Sequence, residues 1–178
     1  LMTDYEGLGT IGVTHTYVNR LSEGHAMLDA ARVARRLPGT SLTPDGPVAF
    51  WGYSQGGGAA ASAAELAPSY APELDIVGTY AGAPPADLAE LLPYADGSAL
   101  VGVVGYALNS VMQSYPEAEA KIRSVLTPRG EDFVDKVKDQ CVAETIVKFM
   151  FRHLEPYFTH PIPELMADPQ FRGLFDLQ

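Results

Sequence analysis

Val48-Ala49-Phe50-Trp51-Gly52-Tyr53-Ser54-Gln55-Gly56-Gly57-Gly58 is an apolar run that ends abruptly in a serine framed by glycines. The run up to Tyr53 has the composition of a buried strand. The alanine-rich stretch from Gly56 to Leu66 reads as a helix, with Pro68 just past the point where it is expected to stop. A serine on so sharp a turn projects its hydroxyl clear of the sheet, and Gly52 and Gly56 are expected to be small because side chains there would collide across the turn. The amide of Gln55 falls at the positive N-terminal end of the following helix, where it can stabilise an oxyanion. Strand, turn and helix together make a nucleophile elbow with Ser54 at its tip. Serine alone is a poor nucleophile, so the motif calls for a histidine base oriented by a carboxylate.

Upstream, Thr3-Asp4-Tyr5-Glu6-Gly7-Leu8-Gly9-Thr10 is a polar, glycine-punctuated loop. A helix is predicted from about Ser22 to Arg36, with Ser22 as its N-cap and Pro38-Gly39 as its stop. Downstream, Leu74 to Ala83 reads as a second short strand, β-branched at its centre and ended by Pro84-Pro85. Helix, strand, helix, strand is the alternation of a parallel α/β sheet, in which sites lie at the carboxyl ends of strands. The Thr3-to-Gly9 loop and Ser54 both fall at such ends.

From Ala86 onward no run has strand composition. Helices are predicted over Asp87 to Leu92, Ala99 to Ser114, Glu117 to Leu126 and Glu131 to Phe151, with short pieces after Pro163 and Pro169. Gly130, Pro156 and Pro161 are read as punctuation between them. The expectation is two regions: residues 1–85 as a sheet-and-helix portion carrying the elbow, and residues 86–178 as a helical cap or lid over the site.

The chain has 178 residues, enough for a substantial core. Its net charge of −10 disfavours nucleic acid and anionic membrane surfaces as partners and suits a neutral substrate. The longest uncharged apolar candidate, Ala99 to Met112, is too short to span a bilayer. Cys141 is the single cysteine, so no disulfide can close within the chain. The first residues lack the basic start and apolar core of a signal peptide and read as the end of a strand already under way, which gives the expectation of a fragment.

Two stretches together resemble the secretory lipases of the α/β-hydrolase superfamily, the lipase A type. One is Thr3-Asp4-Tyr5-Glu6-Gly7-Leu8-Gly9 continuing to Ser22-Glu23-Gly24 and Leu28-Asp29-Ala30-Ala31-Arg32; the other is Gly52-Tyr53-Ser54-Gln55-Gly56-Gly57 followed by Gly82-Ala83-Pro84-Pro85-Ala86-Asp87-Leu88. The similarity runs through the first half of the chain and more loosely through the helical part. Ile11 stands where such sequences often carry proline. The resemblance implies an α/β-hydrolase parallel sheet, here partial, with a helical lid inserted after it. It implies a secreted enzyme that hydrolyses acylglycerols or other carboxylic esters without a cofactor or metal. Ser54 would be the nucleophile, with Gln55 and Asp4 forming the oxyanion hole. A charged carboxylate beside an oxyanion opposes catalysis, so Asp4 would contribute its backbone N–H or be protonated in the complex.

The superfamily's order is serine, acid, histidine, with the last two on loops after later strands. His153 and His160 are the only histidines after Ser54, and both lie in the predicted helical segment. They read as surface or cap residues, and His15 and His25 precede the serine. The four are not spaced as metal ligands. The triad acid and base are therefore expected on a missing segment or companion chain. Apolar cap residues such as Leu100, Val103, Val104, Leu108, Met112, Phe149, Met150 and Phe151 either line an acyl pocket or form ordinary helix core. Gly105 is a position where added bulk would change chain-length preference. Two rival readings are a cutinase-like or short-chain carboxylesterase, since Gly-Tyr-Ser-Gln-Gly also occurs in cutinases, and a non-catalytic fragment.

Overall fold

The computed structural model describes residues 1–9 and 12–177, which form two compact units. Residues 1–9 and Arg20–Ala86 make the first, and residues 12–19 and 87–177 the second.

In the first unit helix α1 (Arg20–Ala34) precedes strand β1 (Val48–Tyr53), helix α2 (Gln55–Tyr70) and strand β2 (Ile76–Gly82). The strands pair in parallel, from Val48 opposite Ile76 to Tyr53 opposite Gly82, so α2 is the crossover of a β-α-β unit. Inward-facing Phe50 packs with Leu28 of α1 and with Ala60, Ala63 and Ala67 of α2. Alanine along α2 lets α1 lie close: a methyl group on Gly24 would stand 2.7 Å from Leu66 Cδ1 and 3.1 Å from the Ser62 backbone. Ion pairs from Arg20 to Glu65 and from Arg32 to Glu73 flank this contact. The opposite face of the sheet is open. Trp51 and Tyr80, 72% and 56% exposed, stack on each other there at 6.1 Å.

Three expected boundaries differ. α1 begins two residues before Ser22, whose hydroxyl donates to Glu6 from within the first turn and is not the cap. α2 runs through Pro68 to Tyr70, because the proline is exposed in the last turn and the Ala71 amide still finds the Ala67 carbonyl. β2 is shorter than the Leu74-to-Ala83 run, starting at Ile76.

The second unit is helical: α3 (Leu88–Ala95), α4 (Val103–Ser114), α5 (Pro116–Ser124), α6 (Pro128–Val137), α7 (Val142–Phe149), α8 (Ile162–Ala167) and α9 (Pro169–Arg172). Caps start three of them, with Asp87 on Glu90 N–H, Thr127 on Gly130 N–H and Asp168 on Gln170 N–H. The single helix expected over Glu131 to Phe151 is two. Between them the Tyr106 hydroxyl donates to the Gln140 carbonyl, and α7 restarts with the Thr145 amide on the Cys141 carbonyl. α4 starts at Val103, after a turn, and not at Ala99. Gly130 lies inside α6 and does not break it; its side would meet the Tyr157 carbonyl at 2.1 Å, so two backbones approach closely there.

The core of this unit is built on Leu108, Val111, Ile122, Phe133, Val134, Val137, Leu154 and Phe171. Val104, Leu108, Met112 and Phe149 belong to it, whereas Leu100, Met150 and Phe151 are exposed. Gly105 is a packing position: a methyl there would stand 2.5 Å from Val137 Cγ2 and 3.0 Å from the Phe133 ring. Added bulk at Gly105 therefore disrupts the α4–α6 contact instead of reporting on acyl preference.

Asp96, at the C-terminus of α3, clasps the segment after α7. Its carboxylate accepts the Leu154 N–H at 2.6 Å and lies 3.0 Å from His153 Nδ1. The hydrogen bond from Asp96 and then its charge hold the His153 pKa above the ordinary 6.5. Burial pushes Asp96 up, but the bonds from His153 and Leu154 outweigh it and leave Asp96 below its usual range. The raised histidine stabilises the fold fully below 6.5 and loses that contribution as pH rises through its folded pKa. The depressed carboxylate contributes above its ordinary pKa and loses this as pH falls through its folded one. The clasp is thus tightest between the two. A proton NMR titration should place the His153 midpoint above 6.5, and Asp96→Asn should return it toward 6.5; an unchanged midpoint in that variant rejects the pairing.

Candidate active site

The turn between β1 and α2 is strained at Ser54. Ser54 has φ 54° and ψ −121°, a backbone conformation that costs a non-glycine residue about 1–3 kcal/mol. The surrounding hydrogen bonds hold it there: the Ser54 amide donates to the Gly82 carbonyl at 2.9 Å, and its carbonyl accepts from Gly58 N–H at 3.0 Å. The serine is exposed at the C-terminal end of β1 and directly precedes α2. Amides in a helix's first turn have no partner within the helix, so this end can bind an anion.

Of the two glycines expected to be sterically required, Gly52 is and Gly56 is not. A methyl on Gly52 would stand 1.8 Å from the Gly56 carbonyl oxygen, which makes Gly52 obligatory. Gly56 itself has room, its nearest neighbour being the Tyr5 hydroxyl at 3.9 Å. Gly57 is the second close approach, with the Gly82 carbonyl oxygen at 2.4 Å. Gly57→Ala should therefore cost about 3 kcal/mol or more by forcing α2 away from β2. Gly56→Ala should be neutral or add up to about 1 kcal/mol of helix propensity. Chemical unfolding of the two variants checks the contrast, and equal destabilisation would contradict it.

Asp4 is exposed, and its carbonyl accepts from the Thr3 hydroxyl at 3.0 Å. Its neighbour Tyr5 comes near the first turn of α2, its hydroxyl 3.9 Å from where a side chain on Gly56 would begin. Glu23 of α1 is the residue missed in the sequence. It is 1% exposed, and its Oε1 accepts from the Gln55 carboxamide at 2.7 Å. Burial, reinforced by the nearby Glu23 charge, pushes the Tyr5 phenol up to about 12, so it stays protonated at neutral pH. A signal for Glu23 existed: it stands four residues before Met27, one turn along the same face of α1.

Of the histidines, His25 is the one in the first unit, and its ring stacks on Tyr70 at 3.8 Å. Tyr70 ends α2, about 22 Å along the helix from Gln55. Among the described residues no group of three or more His, Cys, Asp or Glu could hold a metal ion, and no helix is long and apolar enough to cross a membrane.

The secretory lipase family matches residues 1–172. A protein of Mycobacterium tuberculosis named "probable inactive lipase" is 28% identical over 152 residues, covering 85% of this chain and 34% of that protein. A secreted triacylglycerol lipase of Malassezia globosa is 34% identical over 152 residues, 85% of this chain and 32% of its own. Lipase A of Candida antarctica in its closed state superposes with a TM-score of 0.77 at 25% identity, covering 90% of this chain and 37% of that one. The chain thus spans about a third of the length of the curated relatives it matches. The two-stranded parallel sheet with its helical layer is part of an α/β-hydrolase fold. On this match, nearly end to end, the chain belongs to the secretory lipase family.

Proposed function

We propose that this chain is the nucleophile-bearing core portion and the lid of a secreted serine ester hydrolase acting on acylglycerols. The observation that carries the reading is Ser54, held at positive φ on the turn between a parallel strand and a glycine-started helix. In the mechanism, Ser54 Oγ attacks the ester carbonyl and loses its proton to a histidine base. The tetrahedral oxyanion is held by the backbone N–H groups of Gln55 and Asp4. The base then protonates the departing alcohol, and water releases the acid from the acyl-enzyme.

The base and its orienting acid are supplied by polypeptide outside residues 1–178, on the same chain or a companion. The stacking of His25 on Tyr70 and the open sheet face bearing Trp51 and Tyr80 support this. The first unit is the core portion and the second the lid. Leu100, Met150 and Phe151 are among the large apolar side chains exposed on the second unit and so available to an acyl chain. Secretion and a triacylglycerol substrate follow the name of the Malassezia relative.

The name of the mycobacterial relative favours a second reading, a fold retained without catalysis. A fluorophosphonate probe separates the two. In the protein as its organism makes it, covalent labelling should map to Ser54, whereas absence of labelling, or labelling elsewhere, overturns the hydrolase reading.

A further inference from the structure

The proposed oxyanion hole has two arms from different parts of the sequence, the loop at Asp4 and the start of α2 at Gln55. Each needs its backbone N–H aimed at one point, and an error near 1 Å in such aim costs about a hundredfold in rate. Neither arm is stiff by composition: one is a glycine-punctuated loop, and the other opens a helix with three consecutive glycines. Something outside the helix start has to fix the α2 arm.

Glu23 is placed to do so. α1 is seated on α2 through the Gly24 contact with Leu66 and Ser62, and this carries the neighbouring Glu23 to the N-terminal end of α2. There its carboxylate is 1% exposed and takes the Gln55 carboxamide N–H at 2.7 Å. The half-buried Tyr5 ring, one residue from Asp4, reaches the same turn, with its hydroxyl 3.9 Å from where a Gly56 side chain would begin. A buried acid is costly unless hydrogen bonds compensate it, and a helix N-terminus is where an anion is best tolerated.

We propose that Glu23 is a positioning residue: it anchors the Gln55 side chain and so fixes the arm of the oxyanion hole at the start of α2, on the turn that the Tyr5 loop also reaches. The proposal rests on the reading of Ser54 as nucleophile. Glu23 never touches substrate. It acts through the backbone that carries the Gln55 N–H donor.

Three variants in the protein as its organism makes it provide the test, with p-nitrophenyl butyrate as substrate and an alkyl trifluoromethyl ketone as the tetrahedral mimic. Glu23→Leu keeps volume and removes the acceptor, and Glu23→Gln keeps a carbonyl oxygen for the Gln55 carboxamide. Gln55→Met keeps the backbone N–H and removes only the anchored side chain, so it reads the same tie where Glu23→Leu fails to fold. Glu23→Leu and Gln55→Met are expected to lower kcat about tenfold to a hundredfold, with KM within about threefold. Affinity for the ketone should fall by the same factor as kcat. Glu23→Gln should recover most of the loss. A lowered melting temperature with kcat and ketone affinity unchanged in both variants would make Glu23 merely structural and overturn the proposal. The underlying reading fails differently: Ser54→Ala would then retain turnover. Loss of activity in Ser54→Ala with normal kcat in Gln55→Met removes the positioning role alone.

Discussion

Ser54→Ala is expected to lower ester hydrolysis by about four to six orders of magnitude while leaving the protein folded. The size follows from the role proposed for the hydroxyl, since without it no acyl-enzyme would form and only direct attack by water in the proposed oxyanion hole would be left. The fold should tolerate the change, because the contacts that hold the elbow are made by backbone: Ser54 N–H to Gly82, Gly58 N–H to the Ser54 carbonyl, and the Gly52 and Gly57 close approaches. Alanine is strained at φ 54° much as serine is, so the two proteins share that cost. Steady-state rates with p-nitrophenyl butyrate, together with circular dichroism and a melting curve, make the measurement. Undiminished turnover in a folded variant would remove Ser54 from the mechanism and favour the non-catalytic reading.

The elbow was the most legible part of the chain because local chemistry and tertiary structure ask for the same residues. An apolar run, a serine between glycines and an alanine helix specify strand, turn and helix with little outside help. What the pattern left open was which glycine matters. Gly57 is constrained by the Gly82 carbonyl on the neighbouring strand, a contact across 25 residues of sequence that no motif spacing reports. Helix boundaries failed for the same physical reason. The break between α6 and α7 coincides with the bond from the Tyr106 hydroxyl to the Gln140 carbonyl, a contact across 34 residues that the Glu131-to-Phe151 stretch does not itself report. Ser22 looked like a cap by residue type, but its hydroxyl is occupied by Glu6 of the preceding loop.

Glu23 shows the opposite case, a residue visible in the sequence whose meaning was not. As an acid near a helix start it satisfies the helix dipole, and that bland account is complete at the level of α1. Its full burial and its bond to Gln55 become apparent only when α1 is laid on α2. Gly105 carries the same lesson in the second unit, where a glycine among apolar residues looked like free space and is a tight helix contact.

Residues 1–178 expressed alone are expected to hydrolyse p-nitrophenyl butyrate no faster than their own Ser54→Ala control. The chain has four histidines, and the contacts of each are accounted for without a catalytic role. His25 stacks on Tyr70 at the far end of α2 from the serine. In the second unit, His15 lies edge-on to Tyr106, where burial lowers its pKa, and His160 pairs with the adjacent Thr159 hydroxyl at 3.0 Å. His153 is the strongest competitor, since Asp96 and His153 follow Ser54 in the order serine, acid, histidine. Yet the same Asp96 carboxylate also takes the Leu154 amide at 2.6 Å and closes a local clasp, which accounts for the pair without catalysis. Removing the base from such a mechanism costs about four to six orders of magnitude, so nothing above the control should remain. The open sheet face with Trp51 and Tyr80 invites association, so the assay needs material shown to be folded and monomeric. Ser54-dependent turnover within about a hundredfold of the natural protein would place the base inside these residues. His153→Ala and Asp96→Asn would then be the variants expected to abolish it.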